Sequence, residues 1–132
     1  MALERTAVNP VTWSLEMGFN QGEVVSGATR TLYVSGQTAM NADGQPRDGH
    51  IGEQLAVAVD NLEAVLGEAG MSLANLVRLN VYTTDVDQLF PHYGVLAARL
   101  GAARVSPTTT MLEVSRLAIP GQLVELEGTA VA

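Results

Sequence analysis

The most regular pattern of apolar residues in the chain runs from residue 51 to residue 69. Apolar side chains recur there at steps of three and four, the period of an amphipathic helix; they are Ile51, Leu55, Val59, Leu62, Leu66 and Ala69. Gly70 follows, where a glycine commonly ends a helix. Residues 85–100 form a second helical segment, and Pro91 inside it predicts a short first turn before the main helix. We expect Gly101 to end that helix.

Apolar and polar residues alternate in the segment LVRLNVYTT, which begins at Leu76. Because successive side chains of a strand point to opposite faces, this alternation predicts a strand with one buried face. Alternating and β-branched residues predict two more strands near the C-terminus, at Thr108–Val114 and Leu123–Val131. The second half of the chain is therefore expected to supply most of a sheet.

The first third of the chain has weaker signals. Glu23–Ala28 and Thr31–Gln37 are short apolar runs that only two residues separate, which favours a β-hairpin. Residues 1–22 show no clear period, and we expect them to lie over the surface. The loop at 41–49 is indicated by its Asp-Gly and proline content.

These elements give the order ββαβαββ, which predicts an α+β fold with helices on one face of the sheet. A chain of 132 residues fits a single domain, residues 1–132. The sheet face away from the helices would mix Met, Thr and Val with acidic side chains. Such a face suits an oligomer interface with polar pockets, and a solvated face explains the acids equally well.

Composition narrows the possible functions. The formal net charge is −7 with only seven basic residues, which disfavours nucleic acid as a partner because phosphate contacts need Lys and Arg. The absence of cysteine excludes disulfides, thiolate zinc sites and a cysteine nucleophile. The N-terminus lacks an apolar signal region, and no stretch approaches the roughly 20 apolar residues of a membrane span. We expect a soluble, cytoplasmic protein without a membrane partner.

Signatures of metal or cofactor binding are also missing. His50 and His92 are far apart in sequence and in no metal-ligand spacing, so we interpret them as cap or surface residues. No glycine-rich phosphate loop is present. Trp13 is interpreted as a packing anchor. The sequence predicts no cofactor and no metal.

Two carboxylates stand out on the last predicted strand. Glu125 and Glu127 occupy alternate positions and so share one strand face. Closely placed carboxylates can raise the pKa of one of them and supply a general base. The residues by themselves favour the alternative that both are solvated, since most acidic side chains are exposed.

Four segments in order carry a family resemblance: GFNQGEVVSGATRTLYVSGQTAMNADGQ, EQLAVAVDNLEAVLGEAGMSLANLVRLNVYTTDVDQL, SPTTTMLEVSRL and VELEGTAVA. From about Gly18 to the C-terminus the chain resembles the reactive-intermediate deaminase family, called Rid or YjgF-like (endoribonuclease L-PSP type). The resemblance implies a subunit like the bacillus-type chorismate mutase and a homotrimer whose sheets form a central barrel. It also implies a small-molecule ligand in the clefts between subunits, where enamines or imines such as 2-aminoacrylate are hydrolysed to a keto acid and ammonia.

The resemblance also assigns site residues. Glu125 is the expected catalytic residue, linked to the attacking water. The expected substrate-binding residues are Phe19, Ser35, Tyr93, Thr109 and Met111. Active family members carry an arginine that holds the substrate carboxylate where this chain has Thr109. The threonine run of SPTTTMLEVSRL is therefore interpreted as a remodelled pocket rim that prefers a neutral ligand.

Whether another arginine replaces the missing one stays open at this stage. Arg30 and Arg104 are candidates, Arg78 is interpreted as solvated, and Arg116 as structural. Three functions follow in order of preference. The first is an imine or enamine deaminase with altered substrate preference, the second a non-catalytic metabolite-binding trimer, and the third a ribonuclease or chaperone-like interaction protein.

Overall fold

The predicted amphipathic helix, α2 (Ile51–Glu68), is the centre of the hydrophobic core in the computed structural model, which describes all 132 residues. Leu55, Val59 and Leu62 on its inner face are fully buried at 0% exposure. His50 begins the helix, because its ring Nδ1 accepts hydrogen bonds from the backbone N–H groups of the first turn at 3.0 and 3.4 Å. His50 is thus a cap residue, as the sequence indicates.

The main sheet packs against this helix. It has four strands in the spatial order β3 (Thr31–Gln37), β6 (Val124–Val131), β4 (Leu76–Thr83) and β5 (Thr108–Glu113). β6 is antiparallel to both of its neighbours, while β4 and β5 are parallel. A parallel pair needs a long crossover. That crossover contains α3 (Val86–Leu89), a 3₁₀ turn at Phe90–His92 and α4 (Gly94–Ala102). The α+β class and the short turn at Pro91 are confirmed.

The end of α4 differs from the expectation. Gly101 lies inside the last turn, and the helix continues to Ala102. The residue that leaves the helix in the left-handed conformation is Arg104, with φ of 56°, where α2 uses Gly70 with φ of 72°. The prediction that Gly101 ends the helix is therefore wrong, because an arginine takes the position that usually selects glycine.

The predicted hairpin at residues 23–37 is also wrong. β2 (Gly22–Ser26) pairs with an N-terminal strand, β1 (Glu4–Val8), in a separate two-stranded sheet, while β3 pairs with β6. The Arg5 guanidinium binds the Glu23 carboxylate across the small sheet at 2.8 Å, which links strand partners distant in sequence. A short helix, α1 (Trp13–Glu16), lies between β1 and β2. Residues 1–22 are mostly exposed, as expected, and they contain β1 and α1, which the sequence did not indicate.

The two faces of the main sheet differ in character. Val124 and Leu126 of β6 are fully buried on the side of α2. Glu125 and Glu127 alternate with them and therefore lie on the opposite side, here called the open face, which no helix of the chain covers. The alternation predicted for β6 is confirmed. No helix is both long enough and apolar enough to cross a membrane.

Candidate functional site

A cavity of about 220 Å³ lies beside β5, between that strand, the 3₁₀ turn and the segment that follows α1. Its lining residues are Trp13, Met17, Phe19, Phe90, Tyr93, Thr109 and Met111. The structure thus brings together four of the residues expected at a substrate site, namely Phe19, Tyr93, Thr109 and Met111. They are separated by up to 92 positions in sequence, so only the fold creates this cluster.

The register of β5 determines on which face of the sheet its two cavity residues lie. Thr109 pairs with Leu79 and Met111 pairs with Val81 across the parallel ladder. Leu79 and Val81 are fully buried on the helix side, so their partners point to that side as well. Met111 packs against the edge of the core, as does Tyr93 from the crossover. The cavity is therefore an extension of the core that opens at the β5 edge.

α1 and the segment after it supply the aromatic wall. Phe19 is placed by a backbone hydrogen bond from its N–H to the carbonyl oxygen of Ser14 at 3.1 Å. The rings of Trp13 and Phe19 meet edge to face, with centroids 5.9 Å apart and planes at 84°. Trp13 packs on Phe19, in line with its interpretation as a packing anchor, although it is 58% exposed. It stands at the cavity mouth.

The cavity contains two hydroxyl groups and no charged side chain. The Thr109 hydroxyl donates to the carbonyl oxygen of Pro107 at 2.7 Å. No protein group lies within hydrogen-bonding distance of the Tyr93 hydroxyl, and burial raises the pKa of Tyr93, which keeps the phenol protonated. The cavity is thus apolar with one free donor and one hydroxyl oxygen available as an acceptor.

None of the protein's seven arginines lines this cavity. Arg30 donates to the carbonyl oxygen of Ala69 at 2.7 Å, on another side of the molecule, and Arg104 is exposed after α4. Neither candidate replaces the arginine that the family places at Thr109. Arg78 is half-buried on the open face and donates to Asn80 and Thr110, so its interpretation as a solvated residue is wrong.

Glu125 lies elsewhere, on the open face above the backbone of β3. A Cβ built on Gly36 would overlap Oε1 of Glu125 and stand 2.6 Å from its Cδ, so only glycine admits the carboxylate there. No donor of the chain reaches this carboxylate. Burial, and next the negative charge of Glu127, raise the pKa of Glu125 above its ordinary value. Ser35 is exposed beside Gly36, on the same strand.

Glu127, two residues further along β6, has the opposite surroundings. Its Oε1 accepts hydrogen bonds from Asn80 Nδ2 and from the Tyr82 hydroxyl, both at 2.9 Å. These two hydrogen bonds lower the pKa of Glu127 below its ordinary value. The hydrogen bond between Tyr82 and Glu127, together with burial, raises the pKa of Tyr82. One carboxylate oxygen of Glu127 is thus hydrogen-bonded to two side chains, whereas neither oxygen of Glu125 accepts a hydrogen bond from the chain.

Metal chemistry finds no cluster to support it. No three side chains of the His, Asp and Glu type lie close enough together to hold an ion. His50 and His92, distant in sequence, have ring centroids 5.2 Å apart, and His50 Nε2 lies 3.1 Å from Glu53. His50 and Glu53 lie at the start of α2 and His92 in the 3₁₀ turn, and none of the three lines the cavity.

Comparison with known proteins places the chain in a family. Residues 14–132 match the family described as endoribonuclease L-PSP. The chain belongs to this Rid or YjgF-like family. The mitochondrial protein mmf2 of Schizosaccharomyces pombe is 31% identical over 125 residues, which cover 95% of this chain and 96% of that protein. The 2-iminobutanoate/2-iminopropanoate deaminase of Rattus norvegicus is 33% identical over 103 residues, covering 70% and 74%.

A solved structure supports the same assignment. The crystal structure of the Rid-family protein YyfB of Yersinia pestis matches with a TM-score of 0.81 and 30% identity, over 97% of this chain and 98% of that one. The family resemblance and the α+β fold of the subunit are confirmed, and the homotrimer stays a prediction. The cytoplasmic location expected from the sequence stays a prediction, since a relative as similar as mmf2 is named as mitochondrial.

The expected site of this Rid-family chain is divided within one protomer. Thr109 lies on the helix side of β5, whereas Glu125 and Ser35 lie on the open face at the β3 end of the sheet. Ser35 is on β3 and Glu125 on β6, three and two strand spacings from β5, or roughly 14 and 10 Å. The structure therefore contains two half-sites, the cavity and the part of the open face that carries Glu125 and Ser35. Within one copy of the chain these two half-sites do not meet.

Sequence reasoning missed three cavity residues, Trp13, Met17 and Phe90. Each is a large apolar residue that is 46% to 58% exposed. No local pattern marks such residues, because α1 has a single turn and Phe90 stands in a 3₁₀ turn. The position of Phe90 beside Pro91, where the helix was expected to be interrupted, is the one available signal.

Proposed function

We propose that this Rid-family protein hydrolyses a small reactive imine or enamine and releases ammonia, with Glu125 as the general base. The observation that carries the proposal is the carboxylate of Glu125, which has no partner in the chain, a raised pKa and a glycine beneath it. A raised pKa makes the ionised carboxylate a better proton acceptor near neutral pH. A relative that is 33% identical is named as an imine deaminase, which supports the same reaction class.

The reaction needs one proton acceptor that later acts as a donor. The bound imine nitrogen first takes a proton from solvent. A water oxygen then bonds to the imine carbon, Glu125 takes the water proton, and the C=N π electrons pass to nitrogen. Glu125 then returns its proton to the nitrogen. The C–N bond breaks as the hydroxyl oxygen forms the carbonyl, and ammonia leaves with the hydroxyl proton as ammonium. Glu125 can serve in both steps, because its raised pKa makes it a stronger base when ionised and leaves it able to return the proton.

The site is proposed to form between copies. The open face of one subunit would bring Glu125 and Ser35 to the cavity at the β5 edge of the next, and three such contacts would close a homotrimer. Apolar surface on the open face supports such a contact, since Tyr33 is 79% exposed and Leu112 is 50% exposed. Each complete site would then contain residues of two subunits.

The experiment measures ammonia and carbonyl release from imines made in situ by an amine or amino-acid oxidase, with 2-aminoacrylate included as a carboxylate-bearing substrate. We expect acceleration by the wild type and a loss of at least about 100-fold in Glu125→Gln. Glu68→Gln, an exposed change at the end of α2, is the matched control and should keep full activity. Full activity in Glu125→Gln contradicts the mechanism.

The assembly has its own measurement. Light scattering at several protein concentrations should give three times the monomer mass of 13.9 kDa. Mixing Glu125→Gln with a variant inactivated in the cavity should restore part of the activity, because mixed trimers contain some sites with both half-sites intact. A monomer with full activity contradicts a site shared between subunits.

A non-catalytic binding protein is the second candidate. It is favoured by the apolar, uncharged lining of the cavity, which resembles a ligand pocket more than a reaction centre. A metabolite that raises the melting temperature and is recovered unchanged, with no acceleration of any imine, would support this candidate over the first.

RNA cleavage, which the family description names, has less support from the surface. The net charge is −7, there is no lysine, and Arg5 and Arg99 are engaged in ion pairs. Phosphate backbones require clustered cations. An affinity for RNA that is micromolar and weakens steeply with salt would argue for this role.

A further inference from the structure

We propose that the cavity beside β5 selects uncharged ligands that combine an apolar group of about one ring with a polar head, which accepts a hydrogen bond from Tyr93 and donates one to Thr109. The inference rests on the proposed function for the identity of the head as an imine, and it adds the substrate class. A primary amide also combines one acceptor with an N–H donor, and it is stable and can be tested directly.

Charge excludes a carboxylate-bearing ligand from this cavity. None of its lining residues is cationic, and no arginine of the same copy lines it. A carboxylate moved out of water into apolar surroundings loses its hydration without a compensating ion pair. The net charge of −7 adds a repulsive field. A neutral ligand avoids both costs.

The two hydroxyls define the polar head. The Thr109 proton is committed to the carbonyl of Pro107, so its oxygen is left to accept. The Tyr93 hydroxyl has no partner in the chain and donates. An imine nitrogen accepts through its lone pair while its N–H donates, and an amide accepts through its oxygen while its nitrogen donates. A carboxylate only accepts, so it leaves the Thr109 oxygen without a donor.

The volume and the lining of the cavity determine the size of the apolar group that a ligand can carry. A dry cavity of roughly 150 Å³ takes a benzene molecule, and this one measures about 220 Å³. Phe19 and Met111 form the apolar lining, and Trp13 closes the mouth edge to face with Phe19. Trp13 and Phe90 are about half exposed, so a bound apolar group would remove their ring surfaces from water.

Trp13 also supplies the measurement, because it is the single tryptophan and lines the cavity. Its fluorescence is followed while the wild type is titrated with two matched pairs, phenylacetamide with phenylacetate and isovaleramide with isovalerate. Each pair has one skeleton and differs only in charge and donor capacity. We expect saturable binding of both amides and a dissociation constant at least about tenfold higher for each carboxylate.

Variants test the roles of the two hydroxyls. Thr109→Val and Tyr93→Phe should each weaken amide binding by roughly three- to tenfold, because each removes one hydrogen bond. Thr6→Val is the matched control for the threonine, since Thr6 is exposed on β1 and does not line the cavity. Thr109→Arg should reverse the preference within each pair, while Thr29→Arg, which adds the same charge in an exposed turn, should not.

Circular dichroism checks that each variant folds. If Thr109→Arg does not fold, Thr109→Val and Tyr93→Phe decide the question. Carboxylate binding by the wild type as tight as amide binding overturns the proposal. So does the absence of saturable amide binding, which would mean that another copy of the chain or nothing occupies the cavity. Amide binding without imine hydrolysis contradicts the proposed function and supports the cavity preference. Imine hydrolysis with a preference for carboxylate-bearing substrates would support the proposed function and contradict the cavity preference.

Discussion

The open face of the main sheet has two regions of opposite character, and β6 connects them. In the centre, Glu127 accepts hydrogen bonds from Asn80 and Tyr82, and Arg78 donates to Asn80 and Thr110. At the β3 edge, the carboxylate of Glu125 lies over Gly36 without a donor. Two identical side chains, two positions apart on one strand, thus have pKa values shifted in opposite directions.

The difference separates stability from chemistry. A lowered pKa means that Glu127 stabilises the fold above its ordinary pKa, and that this contribution is lost as pH falls through the lowered value. A raised pKa means the reverse for Glu125, whose contribution is present below its ordinary pKa and lost as pH rises through the raised value. At neutral pH, the ionised Glu127 therefore stabilises the fold and the ionised Glu125 destabilises it. Such a destabilising ionised group is typical of a functional site.

The largest effect should follow from removing the unpaired carboxylate. Glu125→Gln should lower imine turnover by at least about 100-fold, because the proton acceptor is lost. It should leave the free energy of unfolding at pH 7 unchanged or raised, since burying an ionised group is no longer required. Turnover assays and urea unfolding measure the two quantities. A clear loss of stability would show that Glu125 is a structural group like Glu127.

Displacing the same carboxylate without removing it should have the next largest effect. Gly36→Ala places a methyl group where Oε1 of Glu125 lies, and the backbone there needs no glycine conformation. We expect turnover to fall by roughly ten- to hundredfold, because a misplaced base loses alignment. Gly67→Ala on α2, where nothing lies within 4 Å, is the control and should keep full turnover. Unchanged turnover in Gly36→Ala would remove the geometric argument for Glu125.

Removing the hydrogen-bonded carboxylate of Glu127 should lower the free energy of unfolding more than it lowers turnover. Glu127→Ala leaves Asn80 Nδ2 and the Tyr82 hydroxyl without their acceptor, which should lower the free energy of unfolding by about 1–3 kcal/mol at pH 7. Urea unfolding of this variant and of Tyr82→Phe, which removes one of the two hydrogen bonds, should rank the former as more destabilised. Equal stability of Glu127→Ala and the wild type would contradict the assigned role.

The smallest effect is a shift in pH dependence. The acid limb of kcat/KM should lie above the ordinary pKa of a glutamate, because Glu125 must be ionised to accept a proton. Glu127→Gln keeps an acceptor oxygen for Asn80 and Tyr82 but removes the charge that raises the pKa of Glu125. The limb should therefore move to lower pH in Glu127→Gln and stay in place in Glu68→Gln. A limb that does not move would leave burial as the whole cause of the shift.

The sequence by itself determined the elements whose pattern is local. The three- and four-residue steps of α2, its end at Gly70 and the alternation of β4 and β6 each follow from side chains a few positions apart, and all are found in the structure. The same alternation placed Glu125 and Glu127 on one face. The quoted motifs carried the family, because they extend over most of the chain.

Only the tertiary structure decided what depends on distant partners. β2 pairs with β1 and β3 with β6, although a two-residue gap favoured a hairpin, because strand pairing is settled by hydrogen bonds across the whole chain. Trp13 and Phe90 joined Thr109 in one cavity by packing that no local period encodes. The opposite surroundings of Glu125 and Glu127 were decided by Gly36, Asn80 and Tyr82 on neighbouring strands, since a pKa responds to groups within a few ångströms and not to positions in the chain.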